Sequence, residues 1–326
     1  MRHFTKVAAS ASIVLAAVAG IATAQTYPDR AITLVVPFGA GGVTDTTARL
    51  LSEPMSVALG QPVVVENRPG AGGLVGTETV ISGDPDGYTL LYASSGPMAI
   101  LPALTPGAVR YDPLTALRHV QGVSYSSQLL VVPQDAPFET VEDLIAFARE
   151  NPASLNFGSP GIGTAQHLAG ELFRHATGAE MQHIPYRTGG NQLADLVSGV
   201  IDLSFDYSAV LAPYIEAGQL RVLATTGIER HTRFPDVPSL SEAGYPEATN
   251  AGWTLMSVPA GTPDDIVERL SAALREALES ERVRAYLDGN GTMSLVEYGP
   301  AEIAEFVAAE NAKFRGIVEA AGISIE

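Results

Sequence analysis

The sequence predicts an α/β protein built from two similar units. Three observations carry that prediction. Apolar, β-branched runs end in Gly- or Pro-marked turns. Stretches with helical spacing follow those turns. The alternation is completed once before residue 97 and again from Gln128 onward. Alternating strands and helices of this kind build parallel sheets covered by helices.

In the first unit, Ala31–Pro37 reads as a strand buried on both faces, because it is apolar without a period-2 break. A Gly-rich turn leads into a helix over Val43–Leu59, with Ala48, Leu51, Met55 and Leu59 on one face and Gly60 as its stop. Pro62–Glu66 is the next strand. Gly70–Gly76 leads into a second helix, with Gly70-Ala71-Gly72-Gly73 read as a structural turn. Gly83–Gly87 is a turn, and Tyr88–Ala93 is a strand ending in Ser94-Ser95-Gly96.

The second unit reads as strand Gln128–Pro133, helix Val141–Glu150, strand Leu155–Phe157 and loop Gly158–Gly163. Helix Thr164–Thr177, strand Met181–Pro185, helix Asn191–Ser198, strand Ile201–Phe205, a helix around Pro213–Glu216 and strand Leu220–Thr225 follow. Arg230–Gly244 is irregular. Trp253–Pro259 is a strand, with Trp253 in core or hinge packing. Thr262 is placed as N-cap, with Pro263 at the first helical position, of an amphipathic helix Asp265–Leu278. Val283–Leu287 and Ala301–Val318 make the C-terminus all-helical. Gln128–Pro133 and Trp253–Pro259, both apolar and Pro-terminated, are the expected pair of hinge strands.

Composition narrows the chemistry. Apolar residues make up 46% of the 326 residues and charged ones 17%, which supports a large core and excludes disorder. There is no cysteine, so disulfides, thiolate metal sites and cysteine nucleophiles are excluded together. The net charge of −17 disfavours nucleic acid and anionic lipid as partners. Met1–Ala24 has a basic start, an apolar run and the small-residue site Ala22-Thr23-Ala24, which is the pattern of a cleaved secretory signal peptide. Without Arg2 and Lys6 the charge becomes about −19, and Lys313 is the one lysine left. Export without cysteine fits a bacterial periplasm.

Phe38-Gly39-Ala40-Gly41-Gly42 and Phe157-Gly158-Ser159-Pro160-Gly161 share the form F-G-x-x-G, each between a strand and a helix. Such a turn aims backbone N–H groups from a positive helix end, which suits a carboxylate, phosphate or sulfate. Gly41, Gly42, Gly161 and Gly163 allow close backbone approach, and Thr44, Ser159 and Thr164 add hydroxyls. Either loop alone reads as readily as a tight turn; the matched pair favours binding. Asp45 and Asp206 are candidates to accept from a ligand or orient waters, the alternative for Asp45 being a first-turn helix charge. Arg187 is the candidate cation for a second carboxylate, or a solvated loop charge. Ser94, Ser95, Tyr186, Phe205 and Asp206 are candidates to discriminate between ligands.

Enzyme signatures are lacking: there is no G-x-S-x-G, H-E-x-x-H or Walker motif. His167 and His175 read as structural histidines, and His183 and His231 have no carboxylate at metal-ligand spacing. No cofactor or metal is called for.

The ordered motifs are more specific than any one loop. They include Tyr27-Pro28-Asp29-Arg30, Val36-Pro37-Phe38 with Gly41-Gly42 and Asp45, and Leu59 through Gly73 (LGQPVVVENRPGAGG). Pro85-Asp86-Gly87-Tyr88-Thr89-Leu90, His167-Leu168-Ala169, Pro235-Asp236-Val237-Pro238 and Pro259-Ala260-Gly261-Thr262-Pro263 continue the series. In these the chain resembles the Bug family, the extracytoplasmic solute receptors of tripartite tricarboxylate transporters. The resemblance implies a type II periplasmic-binding-protein fold of two α/β domains joined by two strands. Residues 25–127 and 254–326 would form one domain, and residues 128–253 the other. It implies a carboxylate held between the Phe38–Asp45 and Ser159–Thr164 loops, partly through waters, and delivery by a monomeric receptor to a membrane permease. The chain departs from the usual pattern at Gly39, where Pro is usual after Phe38, and at Arg187, where Lys is usual. It departs again at Thr188-Gly189-Gly190-Asn191, where Gly-x-x-Pro is usual. A periplasmic enzyme acting on a small acid and a sensory subunit are the alternative readings.

Overall fold

The computed structural model describes residues 27–323, so the signal-peptide reading of Met1–Ala24 lies outside the described residues. The first elements are β1 (Ile32–Val36), α1 (Val43–Leu59), β2 (Val63–Asn67), a 3₁₀ turn (Ala71–Gly73), α2 (Leu74–Ile81) and β3 (Thr89–Ser94). β1 pairs in parallel with β2 and with β3, and Ile32, Leu34, Val35 and Val36 are buried, as its unbroken apolar run requires. α1 buries the anticipated face, and Gly60 stops it at φ 73, with its N–H on Ser56 O.

A wide helical turn (Gly96–Ile100), α3 (Leu101–Leu104) and β4 (Leu117–Ser127) fill a stretch in which the sequence pattern indicated no element. β4 has an apolar-polar pattern too weak to read, because it is buried along most of its length on both faces. It continues through Gln128 into β5 (Leu129–Pro133). Then come α4 (Val141–Glu150), β6 (Leu155–Ser159), α5 (Ala165–Thr177), β7 (Met181–Pro185) and α6 (Gly189–Val197). β8 (Leu203–Asp206), α7 (Ser208–Glu216) and β9 (Leu220–Thr225) complete this unit. The chain returns through β10 (Ala251–Pro259), α8 (Asp264–Glu279), α9 (Glu281–Gly289), β11 (Met293–Ser294) and α10 (Pro300–Ala321).

These strands form two sheets, in the orders β11-β4-β10-β3-β1-β2 and β7-β6-β8-β5-β9. Neither is wholly parallel. β10 runs antiparallel to β3 and β4, and β5 runs antiparallel to β8 and β9. The reason is topological: strands that carry the chain between units enter a sheet against the direction set by its βαβ crossovers. β5 lies within the five-stranded sheet and β10 within the six-stranded one, so the chain changes sheets around Ser127–Leu129 and over residues 226–250.

Two further expectations are corrected. α8 begins at Asp264 after Pro263, without a side-chain cap. Thr262 Oγ1 instead donates to Pro259 O at 2.8 Å, and Asp264 and Asp265 supply the charge at the helix start. The C-terminus is not all-helical, because β11 adds an edge strand to β4.

Helices cover both faces of each sheet. α1, α8 and α9 seal one face of the six-stranded sheet through Met55, Leu270 and Val283; α2 and α10 seal the other through Val80 and Phe314. α5 is shared. Ala169 and Phe173 face the five-stranded core, while Ala165, Leu168 and Leu172 join the cluster of the six-stranded unit.

Candidate functional site

β1 ends against Pro37, and the chain turns through Phe38–Gly42 to start α1. Gly41 has φ 83, a conformation that favours glycine, and the N-cap is Gly42, which has no side chain with which to cap. The first-turn N–H groups of α1 are therefore met by no capping side chain. Asp45 braces the loop. Its Oδ2 accepts Gly41 N at 3.0 Å; its Oδ1 accepts Arg49 Nε at 3.0 Å and Asn67 Nδ2 at 2.9 Å. Asn67 Nδ2 also donates to Phe38 O at 3.0 Å. Burial alone would raise the Asp45 pKa, but the donors Arg49, Gly41 and Asn67 outweigh it and hold the carboxyl below its usual value.

The loop from β6 to α5 is braced by its own side chains. Thr164 Oγ1 donates to Gly161 O at 2.8 Å and accepts His167 N at 3.2 Å, as an N-cap. Ser159 Oγ contacts His183 Nε2 at 2.7 Å and donates to Gly161 O at 3.1 Å. Gly163 N donates to His167 Nδ1 at 3.2 Å, which makes that nitrogen the acceptor. The rings of His167 and His183 lie 4.2 Å apart. Burial, then the charges of His183 and Arg174, push His167 down to about 3; burial and Arg174 push His183 down to about 4. Both are neutral braces at pH 7.

Between these loops lies a cavity of about 80 Å³, several times the space one water needs. Phe38, Gly42, Thr44, Ser94, Ser95, Thr164, Arg187 and Asp206 line it, so eight of the sequence candidates converge from both units. Gly41, Asp45, Ser159, Gly161, Gly163 and Phe205 are not on its wall. Asp45 and Ser159 are turned into their own loops by the hydrogen bonds above. Gly161 and Gly163 pack against the other unit, and Phe205 is fully buried in the five-stranded core.

Asp206, at the end of β8, is 6% exposed. Its Oδ1 accepts Tyr207 N at 2.8 Å and Gln166 Nε2 at 3.2 Å, which leaves Oδ2 for the cavity. Burial raises its pKa to about 6, against the lowering effect of those two donors. Ser94 Oγ is buried without a hydrogen-bond partner in the protein. Arg187 is exposed at the rim and is the one cation on the wall among the described residues.

Sequence reading missed Thr47, Ser124, Ser126, Gln166, Tyr207, Thr254, Tyr286 and Thr292, which also line the cavity. Ser124 and Ser126 alternate along β4, a period-2 signal available only once that strand is recognised. Tyr286 comes from α9, far away in sequence. Trp253 is both packing and wall: it is 1% exposed, its Nε1 donates to Glu310 Oε2 at 2.9 Å, and it meets Phe306 edge-on.

Comparison with known proteins agrees with this architecture. BugT of Bordetella pertussis is 35% identical over 315 residues, covering 96% of each chain. The solved periplasmic binding protein BugD superposes with a TM-score of 0.88 at 30% identity, covering 92% of this chain and all of its own. MatC of Rhodopseudomonas palustris, solved with bound malate, gives 0.85 at 31% identity, over 90% of this chain and all of its own. An R. palustris protein solved with adipate gives 0.86 at 34%, over 91% of this chain and 99% of its own. The profile of the tripartite tricarboxylate transporter family receptor matches residues 47–323. With a two-sheet fold and a cleft shared by both units, the chain belongs to the tripartite tricarboxylate transporter receptor family.

Proposed function

We propose that this protein is a periplasmic receptor that captures a small carboxylate and delivers it to a membrane permease, without catalysing a reaction. The uncapped start of α1, opening on a cavity shared by both units, carries the reading. A carboxylate there takes first-turn N–H groups and the Thr44 hydroxyl, and it completes the helix end without a lysine. The malate and adipate of the R. palustris relatives are ligands of this chemistry. Arg187 takes a distal carboxylate at the rim. Asp206 accepts from a hydroxyl, an amine or a protonated carboxyl through Oδ2. The two units turn about the crossings near Ser127 and Asn250 and close on the ligand as a monomer. The leader sends the chain to the periplasm and is removed after Ala24.

Native mass spectrometry of the mature protein, followed by a thermal-shift panel of carboxylates, tests the reading. A retained small acid, or a rise of several degrees with one compound, is the expected result. No adduct and no shift across the panel would overturn it. A shift that fades as the compound is consumed would replace the receptor with an enzyme.

A further inference from the structure

Some glycines of this chain serve backbone conformation alone, and others are needed for space, with or without a positive φ. Gly41, Gly60 and Gly178 have positive φ, and a Cβ there would meet nothing within 4 Å; they serve the backbone turn alone. A second set is needed for space, where the two units touch. A Cβ on Gly39 would lie 2.8 Å from Thr188 Cγ2, and one on Gly96 would lie 3.1 Å from Gly163 O. Neither position has a positive φ, so conformation does not require glycine there. Gly72 and Gly163 need glycine on both counts: their φ values are 62 and 77, and a Cβ would come within 2.1 Å of Ile162 O at the first and of Leu101 Cδ2 at the second.

Gly39, Gly72, Gly96 and Leu101 belong to the six-stranded unit; Ile162, Gly163 and Thr188 belong to the five-stranded one. Every one of these contacts crosses the cleft. Beside them, Ala165, Leu168 and Leu172 of α5 are buried against the six-stranded unit.

We propose that these clearance glycines form a closing surface, whose partner is the opposite unit of the same chain. The closed form depends on the missing Cβ atoms at Gly39, Gly72, Gly96 and Gly163. The Gly39–Thr188 pair is its adjustable part. Thr188 Oγ1 accepts Asn191 N to cap α6, and that bond fixes the rotamer, so the methyl stays aimed at Gly39. This inference rests on the receptor reading only for the ligand arm of its test.

The test is a cycle of Gly39→Ala, Thr188→Ser and the double variant. Serine keeps the capping hydroxyl and removes the methyl. Because the chain has no cysteine, spin labels at Val57→Cys and Val200→Cys, exposed sites on opposite units, report the distance between units with and without malate or adipate. Binding of malate and adipate is measured in parallel. Gly39→Ala is expected to shift the distances toward an open form and to weaken binding at least about ten-fold, the scale of an overpacked contact. Thr188→Ser is expected to stay near wild type, and the double variant to regain most of the loss. Wild-type distances and affinity in Gly39→Ala would overturn the closing surface, as would a double variant no better than Gly39→Ala. If the wild type binds neither acid while the distances follow the cycle, the closing surface stands and its ligand lies outside these two acids. If no carboxylate binds at all, the receptor reading fails and the distances alone decide the closing surface.

Discussion

The loops that open α1 and α5 share the spelling F-G-x-x-G and sit on opposite walls of one cavity, yet they are held in opposite ways. The α5 loop carries its own brace, with Thr164 capping His167 N, and Ser159 and two neutral histidines holding the turn. The α1 loop has a glycine at the cap and leaves its helix end open. The aspartates of the two walls, Asp45 beside the α1 loop and Asp206 at the end of β8, differ in the same sense. Asp45 is consumed by Gly41, Arg49 and Asn67 and held at a low pKa, whereas Asp206 keeps Oδ2 for the cavity and is raised to about 6. One wall therefore offers donors to an anion, and the other offers a rigid face and an acceptor. A shared motif marks the turn geometry; the capping groups around it decide what the turn does.

The largest test of this contrast is Asp206→Asn. A carboxyl whose folded pKa is raised from 3.8 to about 6 contributes stability below 3.8 that is lost as pH rises through 6. The asparagine variant avoids that loss. It should gain up to about 3 kcal/mol on the wild type between pH 4 and pH 7 without ligand. Chemical denaturation at both pH values measures it, and a constant difference would remove Asp206 from its buried, raised role.

Asp45→Ala comes next. It leaves three donors without their acceptor, and should cost about 1–3 kcal/mol of stability at pH 7. Its depressed pKa has the opposite sign from Asp206: that stability is present above 3.8 and lost as pH falls through the folded value. Urea melts at pH 7 and pH 3 should show the two curves converging in acid; parallel curves would mean that Asp45 is not the brace.

Thr164→Ala removes the α5 cap and should cost about 1 kcal/mol, whereas Thr44→Ala on the open loop should change stability by less than about 0.5 kcal/mol. Equal costs in thermal melts would erase the difference between the loops. Smallest of all, Ser94→Ala deletes a buried hydroxyl with no partner in the protein. Ligand-free stability should stay level or rise slightly, while affinity for a ligand that uses the hydroxyl falls by roughly ten-fold. A clear loss of ligand-free stability would assign Ser94 to the fold instead.

Much of the fold was legible because its signals are local. α1 ends at Gly60 and β1 is an unbroken apolar run, both readable within a few residues. The strand β4 was not, because burial on both faces along most of its length obscures the alternation that marks a strand. The site divided along the same line. Thr44, Thr164 and Asp206 lie at element ends, where a strand-to-helix turn announces itself. Ser124, Thr254 and Tyr286 reach the cavity from strands and a helix distant in sequence, and no local spacing records that they meet.

By itself, the sequence determined the two α/β units, the glycine loops at their strand ends and the lack of any cysteine chemistry, since each depends on residue type and short-range spacing. Tertiary structure alone decided which acid is a brace and which faces the cavity, where the chain crosses between sheets, and which glycines are needed for space and which for φ. Those are properties of atoms brought together from far apart in the chain. Desolvation, hydrogen-bond partners and the room for a Cβ exist only once the two units have folded against each other.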